Sequence, residues 1–181
     1  MNQTATIIMA VLVVVMVGAI LGLVFVRGRT RRLQGQFGTE YDRTVEATGS
    51  EKNAQSQLEE RQKHVKALDI QPLSNSDRAR YRIEWATVQS KFVDEPGQAI
   101  IDADRLITDV MELRSYPVSD FEQRAADISV SYPALVSNYR AARVIAIKNE
   151  QHQADTEELR QATIYYRSLF DELVGLEPIP A

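Results

Sequence analysis

Residues 96–114, PGQAIIDADRLITDVMELR, decide the fold. Ala99, Ile100, Ala103, Leu106, Ile107, Val110 and Met111 recur at steps of three and four, so a helix gathers them into one stripe two residues wide. Pro96 suits a first helical turn, and Asp94 and Glu95 suit the positive end of the helix dipole. A helix with one apolar stripe must bury it against other elements, which makes this segment a wall of a helical bundle. On its polar side, Asp102, Asp104 and Asp109 are read as solvating charges. Residues two apart on a helix do not face each other, so Asp102 and Asp104 cannot chelate a metal as they would in a loop.

The flanking segments carry the same period. On the N-terminal side, Gln71-Pro72 ends one helix and Ser74-Asn75-Ser76-Asp77 is rich in N-cap types, opening a helix to about Val93. Tyr81, Trp85, Val88 and Phe92 share one face of it, and the only Trp of the chain marks the expected centre of the core. Arg78, Arg80 and Arg82 lie opposite, as a solvated face partly paired with Asp77 and Glu84. On the C-terminal side, Tyr116-Pro117 breaks the helix, and Ser119 with Glu122 reads as a capping box for a short helix through Phe121, Ala125 and Ile128. Ser131-Tyr132-Pro133 reads as the start of the next helix. There Leu135, Val136, Tyr139, Ala142, Val144, Ile145 and Ile147 occupy a broad arc, implying packing on more than one side. Residues 149–154 read as a turn. Asp155 with Glu158 is a second capping box, and Leu159, Ala162, Tyr166, Leu169 and Leu173 run down one side of the last helix to Gly175.

Residues 39–68 are polar but periodic. Phe37, Tyr41, Val45 and Thr48 step along one face; after Gly49-Ser50 the stripe resumes at Ala54, Leu58, Arg61, Val65 and Leu68. Arg61 interrupts it, and two heptads are too few for a coiled coil. The expectation is a long helix docking one narrow face on the bundle.

At the N-terminus, Ala5 to Val26 is a run of 22 residues without a charge. At about 1.5 Å per residue it would extend roughly 33 Å, enough for a hydrocarbon core of about 30 Å. A cleaved signal peptide would have a basic start, a shorter apolar core and a small-x-small site. Met1-Asn2-Gln3-Thr4 has no base, and Arg27, Arg29, Arg31 and Arg32 follow the run. The reading is a single transmembrane helix whose arginine collar keeps the C-terminal domain in the cytoplasm and the N-terminus outside, in a bacterial inner membrane. A secreted or periplasmic domain is the alternative. Gly18 and Gly22 form a GxxxG, through which two such helices could pair as a homodimer; the motif also arises by chance in transmembrane segments. Gly28, Gly35 and Gly38 mark residues 27–38 as a flexible link.

The composition narrows the chemistry. The chain has no cysteine, which removes disulfides, thiolate nucleophiles and Cys-based zinc sites. Once the four collar arginines are set aside, 17 basic residues stand against all 25 acidic ones, a balance of −8 that argues against nucleic acid as a partner. Nucleophile-elbow, zinc-protease, phosphate-loop and dinucleotide motifs are lacking. His64 and His152 have no converging ligands in sequence. No catalytic, cofactor or metal residue is assigned, and no cofactor is expected.

The stretches FGTEYDRTVEATGS, IQPLSNSDRARYRIEWATVQSKFVDEP, ADRLITDVMELRSYPVSDFEQRAADISVSYP, NYRAARVIA and TEELRQATIYYRSLFDEL resemble a family of uncharacterised bacterial proteins labelled membrane or secreted. The resemblance spans most of residues 37–173 and implies no activity. The expected architecture is all-α: a short outside tail (1–4), a transmembrane helix (5–26), a basic link (27–38), an antiparallel bundle of five or six helices (39–175) and a C-terminal tail (176–181). Its expected role is a membrane-tethered interaction or scaffold module, with the lipid bilayer and a protein as partners. The alternative is a small-molecule-binding or catalytic domain with its site near residues 116–132, where Tyr116, Phe121, Arg124 and Tyr132 cluster.

Overall fold

The computed structural model describes residues 3–175, and the described chain is all-helical. Its helices are α1 (Gln3–Phe37), α2 (Thr39–Thr48), α3 (Glu51–Ala67), α4 (Asn75–Lys91), α5 (Pro96–Leu113), α6 (Phe121–Ser131), α7 (Val136–Glu150) and α8 (Thr156–Val174). The C-terminal tail and the first two residues lie outside the described part.

Helices α4 to α8 share one apolar core. The stripe of α5 is buried along its whole length, from Ala99 to Met111, between α4 and α8. Trp85 sits at the centre as expected and stacks on Phe170 with ring centroids 4.7 Å apart. Several helix ends follow the sequence. The Ser74 hydroxyl accepts from the Asp77 backbone N–H, Pro96 opens α5, and Asp155 and Glu158 make both bonds of a capping box on α8. Others move. The cap of α6 is Asp120, whose carboxylate accepts from the Gln123 N–H, one residue beyond the expected Ser119. Residues 133–135 form a turn, so α7 starts at Val136 instead of at the Tyr132-Pro133 pair.

A second, smaller core lies beside the first. Leu33 and Phe37, from the last turns of α1, pack with Tyr41 and Leu58 of α2 and α3. This overturns two expectations. Residues 27–37 are helix and not a flexible link, because Leu33 and Phe37 stand four apart and are fully buried, which holds the turns that Gly28 and Gly35 would loosen. Residues 39–67 are a hairpin and not one long helix. Gly49 takes φ +67°, a left-handed cap that turns the chain back so that α3 returns along α2 and α1.

Ion pairs and amides lace the hairpin to α1. The Arg29 guanidinium donates to both oxygens of Glu59, at 2.6 and 2.7 Å, Gln55 donates to Thr30 and Tyr41, and Gln62 to Gln36. The Arg29 bond lowers the Glu59 pKa, with burial opposing it.

Among the described residues, no helix is long and apolar enough to cross a membrane. The run at 5–26 is described only in part; Leu12, Met16 and Leu21 of it are exposed. Gly18 has open space around it, and the surroundings of Gly22 lie outside the described residues.

Candidate functional site

The hairpin meets the five-helix bundle across α3 and α6, and that seam is polar. Glu40, 2 % exposed, lies on the inner face of α2 one residue from Tyr41. Its carboxylate takes Arg61 from α3 at 2.9 Å, Arg140 from α7 at 3.1 Å and Arg43 at 3.5 Å. Arg140 also reaches Glu122 of α6 at 2.6 Å, so one guanidinium bridges an acid on each side of the seam. A single buried carboxylate would be costly to desolvate; three guanidinium partners make it tolerable here.

One turn further along lies a second carboxylate. Asp127 is fully buried. Its Oδ1 accepts from Gln123 at 2.9 Å and stands 3.6 Å from His64 Nε2, while its Oδ2 is buried with no hydrogen-bond partner. Burial pushes the Asp127 carboxyl above its ordinary value, and His64, Gln123 and Arg61 pull back only in part. Above these groups opens a cleft of about 420 Å³, lined by Gln57, Glu60, Arg61, His64, Asp120 and Gln123 among others.

Residues 116–132 supply only one side of this cleft. Asp120, Glu122 and Gln123 reach the cleft, but Arg124 turns inward, donating from Nε to Tyr139 Oη at 3.2 Å and from Nη1 to the Val118 carbonyl. Tyr116 is buried, and burial raises its pKa. A related inward strip corrects the reading of Asp104 as a solvating charge: it accepts from Tyr166 Oη at 3.1 Å and faces Arg143 at 3.6 Å. Burial first, then the Asp104 charge, drives the Tyr166 pKa far up, so both are structural. The paired face of α4 is as expected at Arg80, which lies 3.5 Å from both Asp77 and Glu84.

The other surface of note is apolar. Helix α7 packs on more than one side as expected, against α8, α6, α5 and α2, but it leaves Val144 57 % and Ile147 40 % exposed. Val136, Tyr139, Ala142 and Ala146 are buried in the core, and Leu135 and Ile145 pack against it partly buried. Between α7 and α8, Ala141, Val144, Ile145 and Tyr165 floor a groove of about 570 Å³, rimmed by Asp155, Glu157 and Glu158 at the start of α8. Lys148 holds Glu158 at 2.5 Å and Arg160 holds Glu157, whereas Asp155 serves as cap.

Sequence reasoning missed Glu40 and Asp127. The signal for the first was present: Glu40 stands between Phe37 and Thr44 on the stripe, and Arg61 interrupts the facing stripe. Two opposite charges on two facing apolar stripes imply each other. Asp127 has no such signal, because its partner His64 lies on another helix whose direction depends on the turn at Gly49. Comparison with protein-family models, curated proteins and solved structures finds no match.

Proposed function

We propose that the protein is a membrane-tethered interaction module whose α7–α8 groove takes a helical segment of a partner protein. The observation that carries this is the groove itself, an exposed aliphatic and aromatic floor beside an acidic rim. Exposed apolar surface that the chain does not cover marks a binding face. An amphipathic helix with aliphatic side chains at i, i+3, i+4 and i+7 fits such a floor. Basic residues at its flank match the three rim carboxylates and the acidic balance of the domain. The bases now on Glu157 and Glu158 are surface partners, each worth little and readily exchanged.

The tether is the apolar run at 5–26, with Arg27, Arg29, Arg31 and Arg32 setting a cytoplasmic domain and an outside N-terminus. Within the collar Arg29 is turned to Glu59, while Arg27 and Arg31 are exposed, as contact with a headgroup zone would require. Pairing of two anchors through Gly18 and Gly22 belongs to the same reading.

The test is binding of a synthetic helix with a leucine face and lysine flanks to the full chain in nanodiscs. We expect it to bind, its glutamate-flanked counterpart to fail, and Val144→Glu to abolish the signal. Equal binding of the two peptides, or binding that survives Val144→Glu, would overturn the proposal. A second reading, a small polar ligand at the α3–α6 cleft, is favoured by the buried Asp127 behind it. Its measurement is a ligand-dependent shift of the His64 ring resonances.

A further inference from the structure

We infer that the α7–α8 groove is directional: the partner helix lies antiparallel to α8, with its basic residues in its last turn and that turn over the start of α8. This rests on the reading of the groove as a helix-docking site.

The charge of the groove stands at one end. Helices α7 and α8 are packed neighbours joined by the short turn at 151–155, so the end of α7 and the start of α8 lie together. Asp155, Glu157 and Glu158 rim that end, and among the described residues no other charged side chain lines the groove. The floor runs away from it, through Ile145 and Val144 to Ala141 on α7 and to Tyr165 on α8. The aliphatic face of the partner therefore covers the floor, and its bases lie beyond that face at the start of α8. Bases at the opposite end would meet no acid.

The backbone decides which end of the partner that is. A helix start carries its positive partial charge on N–H groups without partners, and a helix end its negative charge on unpaired carbonyls. At the end of α7 the carbonyls are taken. His152, in the left-handed region at φ 57°, turns the chain back, and Gln151, His152 and Gln153 donate to the carbonyls of Ile147, Lys148 and Asn149. At the start of α8 the capping box uses the N–H groups of Asp155 and Glu158, whereas those of Thr156 and Glu157 have no partner among the described residues. The groove thus ends on open donors from one helix and closed acceptors from the other. The last turn of a partner helix brings free carbonyls towards those donors and Lys or Arg side chains to the three carboxylates. A first turn would set N–H groups against N–H groups and place its bases at the positive end of its own dipole.

The experiment compares two synthetic helices on the full chain in nanodiscs, with empty nanodiscs as the blank. Both carry the same leucine face and the same hydrocarbon staple on the opposite side, so their own helicity is equal; one has its lysines in the last turn, the other in the first. The chain lacks cysteine, so a spin label on the peptide N-terminus can be paired with one at Ser137→Cys, near the start of α7, or at Gln153→Cys, in the turn, both exposed positions. We expect the last-turn peptide to bind about two- to fivefold tighter, a preference that shrinks as salt is added. Its label should lie nearer to position 137 than to position 153, sites separated by roughly 20 Å along α7. Equal affinity of the two peptides, or a label nearer to position 153, would overturn the direction and leave the groove as a docking site. Failure of both peptides to bind would remove the docking reading and this inference with it.

Discussion

Around Trp85, burial is dry: Ile100, Ile107, Met111, Phe170 and the Trp ring fill the space among α4, α5 and α8, each with no more than 2 % of its surface exposed. At the seam between hairpin and bundle, burial is charged, with Glu40 among three arginines and Asp127 opposite a histidine. The two carboxylates are as hidden from water as the core around Trp85, but the two regions do different work. Apolar burial scales with area and tolerates small shifts. A buried carboxylate needs its partners at hydrogen-bond distance, so the seam fixes one relative placement of two units and ties that placement to their protonation. The core supplies stability and the seam supplies orientation.

The largest effect is expected from emptying the core. Trp85→Ala should cost about 3–5 kcal/mol in a denaturant titration, as a transfer loss plus the cavity left against Phe170. An effect below about 1 kcal/mol would place the centre of the bundle elsewhere. Next comes the seam. Glu40→Gln leaves Arg61 largely buried without its acid and Arg140 with Glu122 alone, and should cost about 1–3 kcal/mol, less than a fully buried pair because both arginines keep some contact with water. Hydrogen exchange should show that loss in α2, α3 and α6 while α5 and α8 stay protected. Uniform deprotection would mean the two regions are a single unit. Smaller again is Asp155→Ala, which removes the cap of α8 and should lower stability by about 1 kcal/mol.

Acid should separate the regions by sign. Hydrogen bonds from Lys148 and from the Asp155 backbone N–H hold Glu158 below the ordinary carboxylate value. Its contribution is present above that value and is lost as the pH falls through the lowered one. Asp127, raised by burial, behaves in the opposite way. Stability of Glu158→Gln and Asp127→Asn chains measured across the acid range should therefore diverge from the parent in opposite directions.

The bundle was legible because its period is carried by consecutive residues. From Ala99 to Met111 the stripe is complete within one helix, and the caps at Ser74 and Asp155 are local patterns three residues long. The hairpin was misread at one position: Gly49-Ser50 was visible as a break, but a break does not say whether the chain resumes its direction or reverses it. The left-handed cap at Gly49 decides that, and with it which residues α3 faces. The linker reading failed for a related reason. Gly28 and Gly35 lower helix propensity by roughly 1 kcal/mol each, while burial of Leu33 and Phe37 against Tyr41 and Leu58, both on other helices, supplies more than that. The cleft at 116–132 was half legible: its α6 wall is contiguous in sequence, and its α3 wall is not.

Helix α1 runs without interruption from Gln3 to Phe37, and its last turns are embedded in the smaller core. The eleven residues from Arg27 to Phe37 carry that helix into the smaller core as a strut of roughly 16 Å. Such a strut fixes the distance between the hairpin and the helix segment before Arg27 and carries any rotation of that segment about its axis directly to Phe37. A swivel inserted within it, such as three consecutive glycines, would leave the domain attached yet deaf to how the segment before it turns.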